Sequence, residues 1–124
     1  MSILSIDHVQ LGFASGHWSL MRHFYTHLLG LRELHEASPG RTLRLAAGAQ
    51  RIDLVPADDW RRPPAPAHLA LSVRDLPRVR DRLKVAGWVL DESRPQPGHL
   101  RYYLHDPAGN ALELLEPARA RPVS

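Results

Sequence analysis

Apolar and polar residues alternate over Ile6–Phe13 and again over His68–Val73, the period of a strand with one buried face. After the first run, Leu20, Phe24 and Leu28 recur at helical spacing and predict a helix from Ser15 to Leu29, with Gly30 as its stop. After the second run, a helix opens at Asp75 as N-cap, tolerates Pro77 in its first turn and stops at Gly87. Short strands follow each helix: Arg32–Ala37, Thr42–Leu45 and Gln50–Val55 first, then Trp88–Asp91, Leu100–His105 and Ala111–Glu116. Asp106–Gly109 reads as the turn before the last strand.

The order β-α-β-β-β therefore occurs twice, and the two copies superpose in sequence. IDHVQLGF (Ile6–Phe13) aligns with PAHLALSV (Pro66–Val73), and QRIDLVP (Gln50–Pro56) with NALELLEP (Asn110–Pro117), each at an offset of 60 positions. The expected organisation is one α+β domain over 1–124, with module one at 1–56, a linker at 57–66, module two at 67–117 and a tail at 118–124. The stretch PADDWRRPPAP (Pro56–Pro66) reads as an exposed linker by composition.

Alternation also sorts the polar residues. Val9 and Leu11 oppose His8 and Gln10, while Leu69, Leu71 and Val73 oppose His68, Ala70 and Ser72. In the closing strands Ile52 and Leu54 oppose Asp53, and Leu112 and Leu114 oppose Glu113. If the helices cover the apolar sets, His8, His68, Asp53 and Glu113 lie on the helix-free, concave faces. Two imidazoles and two carboxylates related by a repeat suit a divalent metal ion.

Composition narrows the chemistry. The 124 residues contain no cysteine, which excludes disulfides, thiolate metal sites and cysteine nucleophiles. Sixteen basic residues against thirteen acidic give a net charge of only +3. Lys84 is the sole lysine, and the one arginine concentration (Arg74, Arg78, Arg80, Arg82) lies on a predicted helix whose other side carries Leu76, Val79 and Leu83. That is the pattern of a solvated helix face, so no nucleic-acid partner is expected. No apolar run is long enough to span a membrane, and MSILSIDHVQ lacks the basic and apolar regions of a signal peptide, so a cytoplasmic location is expected.

The sequence resembles the vicinal oxygen chelate superfamily, the glyoxalase I, bleomycin-resistance and extradiol-dioxygenase group built from paired βαβββ modules. The resemblance runs from IDHVQL through FYTHLLGL and HLALSVRDL to DPAGNALELLEP. It implies two modules forming a curved, cup-like mixed sheet with helices outside, and a homodimer. It implies a divalent metal (Zn, Ni, Mn or Fe(II)) held by His8, His68 and Glu113. Asp53 stands at the fourth position, where glyoxalase I-like members carry a Glu, and is either a direct ligand or one acting through water. Tyr103 stands in Tyr-x2-Asp-Pro-x-Gly-x3-Glu, the end of the extradiol-dioxygenase signature, and either lines the site or packs as a strand aromatic. Glu113, Asp53 and Tyr103 are the catalytic candidates. The implied reaction is that of a lyase, isomerase or ring-cleaving dioxygenase acting on a small substrate with vicinal oxygens. The alternative is a metal-free, drug-sequestering binder.

Several positions depart from the known branches. Gly12 stands where glyoxalase I-like enzymes carry a glutathione-holding Arg. Ser93 and Arg94 stand where extradiol enzymes carry a catalytic His, with His99 nearby, and Gln10 replaces the Thr of the fosfomycin-modifying branch. His17, His23, His27 and His35, in or beside the first helix, read as surface or packing residues, and His105 precedes the Asp-Pro turn.

Overall fold

A computed structural model describes residues 2–118; the remainder of the expected tail lies outside the described residues. The described residues form two compact units, the first comprising 2–63 with the turn Pro107–Asn110, the second Pro64–Asp106 with 111–118.

In the first unit, β1 (His8–Ala14) leads through a 3₁₀ turn at Ser15–His17 into helix α1 (Trp18–His23), which continues as a wider π turn over Phe24–Leu28. Strands β2 (Arg32–Glu33), β3 (Leu43–Ala47) and β4 (Gln50–Ala57) follow. The sheet order is β1-β4-β3-β2, with β1 parallel to β4 and the other pairs antiparallel. The predicted Arg32–Ala37 strand shortens to two residues. The buried stripe of α1 is Trp18, Met21, Phe24, Tyr25 and Leu28. It is centred on Met21 and Tyr25, so Leu20 falls on its flank and is 57% exposed rather than packed as its spacing to Phe24 suggested. The stripe covers Leu43, Leu45, Ile52 and Leu54 of the sheet, each at most 2% exposed, and this is the core of the unit. Gly30 at φ +82° is the stop expected from the sequence.

In the second unit, β5 (Leu69–Ser72), helix α2 (Leu76–Val85), β6 (His99–His105) and β7 (Ala111–Pro117) build the sheet β5-β7-β6. The predicted strand at Trp88–Asp91 reduces to one bridge, Asp91 to Tyr103. Leu76, Val79 and Leu83 of α2 are buried, as are Tyr102, Leu104, Leu112 and Leu114 of the sheet. The arginine face of α2 is turned outward, and Arg80 Nη1 donates to the hydroxyl of the buried Tyr102 at 3.2 Å. Asp75 precedes α2 at φ +59° with no capping bond from its own side chain. The Glu116 carboxylate takes that role, accepting from the amides of Asp75 (2.7 Å) and Leu76 (2.9 Å).

The repeat survives in the strand register. Gln10 pairs with Asp53 across β1 and β4, and Ala70 with Glu113 across β5 and β7, the second register being the first displaced by 60 residues. The α+β class and the tandem β-α-β-β-β order are those expected from the sequence.

Most of the Pro-rich stretch is exposed, as its composition suggests, but part of it is tied to the first unit. Pro56 and Ala57 complete β4, and Asp58 accepts a hydrogen bond from Ser15 Oγ at 2.9 Å. The Trp60 ring lies on Gly12 so closely that a Cβ there would stand 2.5 Å from its nearest carbon. Only glycine fits beneath that ring. The indole Nε1 reaches the carbonyl of Ala108 at 3.4 Å, and Asn110 Nδ2 donates to the Gly12 carbonyl at 3.0 Å.

Candidate functional site

The second unit gathers the richest set of polar groups. His68, one residue before β5, reaches Glu113 at the centre of β7, Nε2 to Oε1 at 3.0 Å. Its Nδ1 stands 2.9 Å from the Pro66 carbonyl, which can only accept, so Nδ1 donates there and Nε2 is the nitrogen that faces the carboxylate. At that distance the two atoms can share a proton, and both are of the types that ligate a cation. Metal-ligating histidines show the same support, with one ring nitrogen tied to a carbonyl or carboxylate and the other presented.

Glu113 is buried, as is Asp53 at the equivalent place in the first unit. The closing strands are therefore covered on both faces at these acids, which alternation alone did not indicate. Tyr103 is the direct cross-strand partner of Glu113. Its ring meets His68 edge-on, centroids 5.8 Å apart and planes 67° apart. Arg101 Nη1 approaches Glu113 Oε2 to 3.8 Å, and the Arg94 guanidinium stacks 3.6 Å over the Tyr103 ring.

The first unit arranges the equivalent residues differently. His8 is exposed, and its Nδ1 lies 2.7 Å from the Asp7 carboxylate; that hydrogen bond is the main reason the Asp7 carboxyl lies below its ordinary value. Here too the anchored Nδ1 leaves Nε2 as the presented donor. Asp53 does not meet His8, whose own partner in the sheet register is Arg51. Instead both oxygens of Asp53 are held by Arg51, from Nε at 2.8 Å and Nη2 at 3.1 Å.

Within neither unit do three His, Asp or Glu side chains gather into one cluster among the described residues. His8, His68 and Glu113 offer imidazole nitrogens and a carboxylate, donor types that fit a divalent ion. Asp53 fits less well, because a bidentate guanidinium already occupies its acceptor oxygens. Of the remaining histidines, His23 and His27 stack on one another on the exposed side of the first helix, 5.0 Å apart. His99 Nδ1 faces the Pro97 carbonyl, and His105 is exposed at the end of β6.

Arg51, Arg101 and Trp60 lie outside the residues that motif and alternation singled out. For the two arginines a signal existed: each stands two residues before a candidate on the same strand, Asp53 or Tyr103, and so shares its face. Trp60 had none, because its partner Gly12 is 48 residues away in sequence.

The chain thus has two β-α-β-β-β modules, with a histidine and an acid brought together on the second sheet. The Glyoxalase/Bleomycin resistance protein/Dioxygenase superfamily matches residues 5–114, and the chain belongs to that superfamily. Among solved structures, a glyoxalase family protein from Bacillus anthracis is 27% identical with a TM-score of 0.81, covering 94% of this chain and 98% of that one. Lactoylglutathione lyase from Agrobacterium tumefaciens shares the fold at 20% identity and a TM-score of 0.70, covering 90% and 92% of the two chains. A fosfomycin resistance protein from Listeria monocytogenes shares it at 17% identity and a TM-score of 0.75, covering 93% and 94%. No curated protein matches the sequence. Among the described residues, no helix is long and apolar enough to cross a membrane.

Proposed function

We propose that this chain is a metal-dependent enzyme of the glyoxalase and dioxygenase kind, a lyase, isomerase or ring-cleaving dioxygenase acting on a small substrate with vicinal oxygens. The observation that carries this reading is the His68–Glu113 contact at 3.0 Å, with His68 Nδ1 already committed to a carbonyl. His68 and Glu113 would hold the divalent ion (Zn, Ni, Mn or Fe(II)), and the family resemblance adds His8 as a third donor. When bound, such an ion supplies Lewis acidity to two adjacent substrate oxygens. Glu113 presents Oε2, the oxygen turned away from His68, to take a substrate proton. Tyr103 walls the site beside it.

The Arg51–Asp53 pair supports a second reading, a metal-free small-ligand binder of the drug-sequestering kind, because it removes one acid from the available donors. Elemental analysis after expression in metal-supplemented medium separates the two. A stoichiometric divalent ion is expected; a protein free of metal under those conditions is the binder.

The proposed assembly is a cytoplasmic homodimer. Its support is the exposure of Ile3, Leu4 and Ile6 beside β1, an edge strand of its sheet. Sedimentation equilibrium at micromolar concentration is expected to give twice the chain mass; a monomer refutes the dimer.

A further inference from the structure

We infer that His23 and His27 form a further metal site, a two-imidazole chelate for a late divalent transition ion such as Zn(II), where helix α1 passes into the π turn. The two stand four positions apart and so share one helix face. That is the spacing by which a helix presents two nitrogens to one zinc ion. Both residues are exposed, and their rings already lie side by side, with centroids 5.0 Å apart and planes 19° apart. Two imidazoles that share one tetrahedral ion at about 2.0–2.1 Å bring their ring centres to roughly 5 Å. Closing on an ion therefore needs rotation of the rings, not movement of the helix.

Hydrogen bonding prepares His27 for this role. Thr26 Oγ1 donates its single proton to the Arg22 carbonyl at 2.6 Å, so it accepts from His27 Nδ1, 3.1 Å away. Nε2 is left as the ring nitrogen without a protein partner, and the ring is held through Nδ1 as supporting groups hold metal-ligating histidines. His23 makes no hydrogen bond to protein among the described residues. The pair borders an open cleft of about 530 Å³ together with Trp18, Arg22 and Glu33. The one cation there, Arg22, is matched by Glu33 Oε2 at 2.9 Å, and Glu33 Oε1 is a buried acceptor with no hydrogen-bond partner. No third His, Asp or Glu completes a cluster among the described residues, so solvent fills the other positions on the ion and the ion exchanges readily. Imidazole donors select zinc, copper or nickel over magnesium and calcium.

The test is titration of the chelator-treated protein with Zn(II), followed through the imidazole nitrogen NMR resonances of each histidine. The Nε2 resonances of His23 and His27 are expected to shift together and saturate at one ion per pair, while Mg(II) leaves them in place. His23→Gln should weaken the response of His27 by about 100-fold, the loss when one arm of a chelate is removed, and His27→Gln should do the same to His23. Both residues are exposed, so neither change disturbs the core. His68→Ala should leave the response of His23 and His27 intact, which separates this site from the one proposed on the second sheet. Equal affinity of His27 for Zn(II) in the wild type and in His23→Gln overturns the chelate. So does a response of the pair that His68→Ala abolishes, or the absence of any response to millimolar Zn(II).

Discussion

In each module an acid sits on the closing strand, which is paired on both sides, and in each the acid is buried. The first module turns Asp53 to Arg51; the second turns Glu113 to His68. The residue opposite on the neighbouring strand differs too, Arg44 facing Asp53 and Tyr103 facing Glu113. The strand register is the same to the residue, so the backbone does not impose this difference. It arises because a guanidinium two residues earlier on the strand reaches the first acid, whereas Ala111 leaves the second open to His68. A duplicated fold supplies two equivalent places, and side chains beside them decide which keeps an available carboxylate.

The sharpest way to break this comparison is to remove the acids and histidines one at a time. His68→Ala and Glu113→Gln should each lower divalent-metal affinity by at least ~100-fold, beyond the roughly 10–100-fold that losing a supporting group costs. Asp53→Asn should leave metal per chain near the wild-type value, because its oxygens are engaged by Arg51. Elemental analysis together with competition against a chromogenic chelator measures both. Equal losses in His68→Ala and Asp53→Asn would mean that Asp53 is as much a ligand as the second-module residues. None of the three should unfold the chain, since each removes a group on a polar face rather than the apolar core.

The second contrast lies at Gly12 and its counterpart Ser72, 60 positions on. Module two carries a side chain there, and module one has the Trp60 ring in that space. Gly12→Ala should destabilise the protein by about 2 kcal/mol, the ordinary cost of forcing a methyl group into a filled space. Ser72→Ala, on an exposed residue, should change stability by no more than about 0.5 kcal/mol. Urea unfolding measures both. Restoration of stability to Gly12→Ala by a second change, Trp60→Ala, would localise the conflict to the ring.

The third contrast is in how the helices begin. Glu116 caps α2 through two amides, and Pro56, its counterpart in module one, has no side-chain acceptor to do so. Glu116→Ala should cost about 1 kcal/mol, the usual loss for a cap, and should speed hydrogen exchange at Asp75 and Leu76.

These contrasts also mark what was legible in advance. The 60-residue offset, both glycine helix stops and the burial of Leu76, Val79 and Leu83 follow from patterns local to the chain, because period and stop signals act within one or two turns. That His68, Tyr103 and Glu113 share one sheet was legible because local alternation and the 60-residue repeat place their strands. Leu20 was misread because a stripe over six helical residues and a π turn leaves its centre open by one position. The Trp60–Gly12 stack, the Arg51–Asp53 chelate and the Glu116 cap depend on side-chain reach or long-range contact, which no periodicity encodes.

The smallest expected effect concerns Asp91, the bridge residue of module two; the residue in the matching place of module one, donating its amide to Arg44, is Leu34, which cannot titrate. Ser93 bonds the Asp91 carboxylate twice, from its hydroxyl at 2.6 Å and its amide at 2.9 Å. The hydroxyl bond is the larger cause, the amide bond the next, and together with Arg94 they hold the Asp91 carboxyl below its ordinary value. A depressed carboxyl stabilises the fold above the unfolded value near pH 4, and that contribution is lost as pH falls through the folded value. Ser93→Ala removes the larger cause, so the carboxyl should titrate at higher pH and the acid limb of the stability curve should begin slightly earlier. Carbon-detected NMR titration of the Asp91 carboxyl reads the shift directly. Identical titration curves in wild type and Ser93→Ala would show that the Ser93 hydroxyl does not hold this carboxylate in solution.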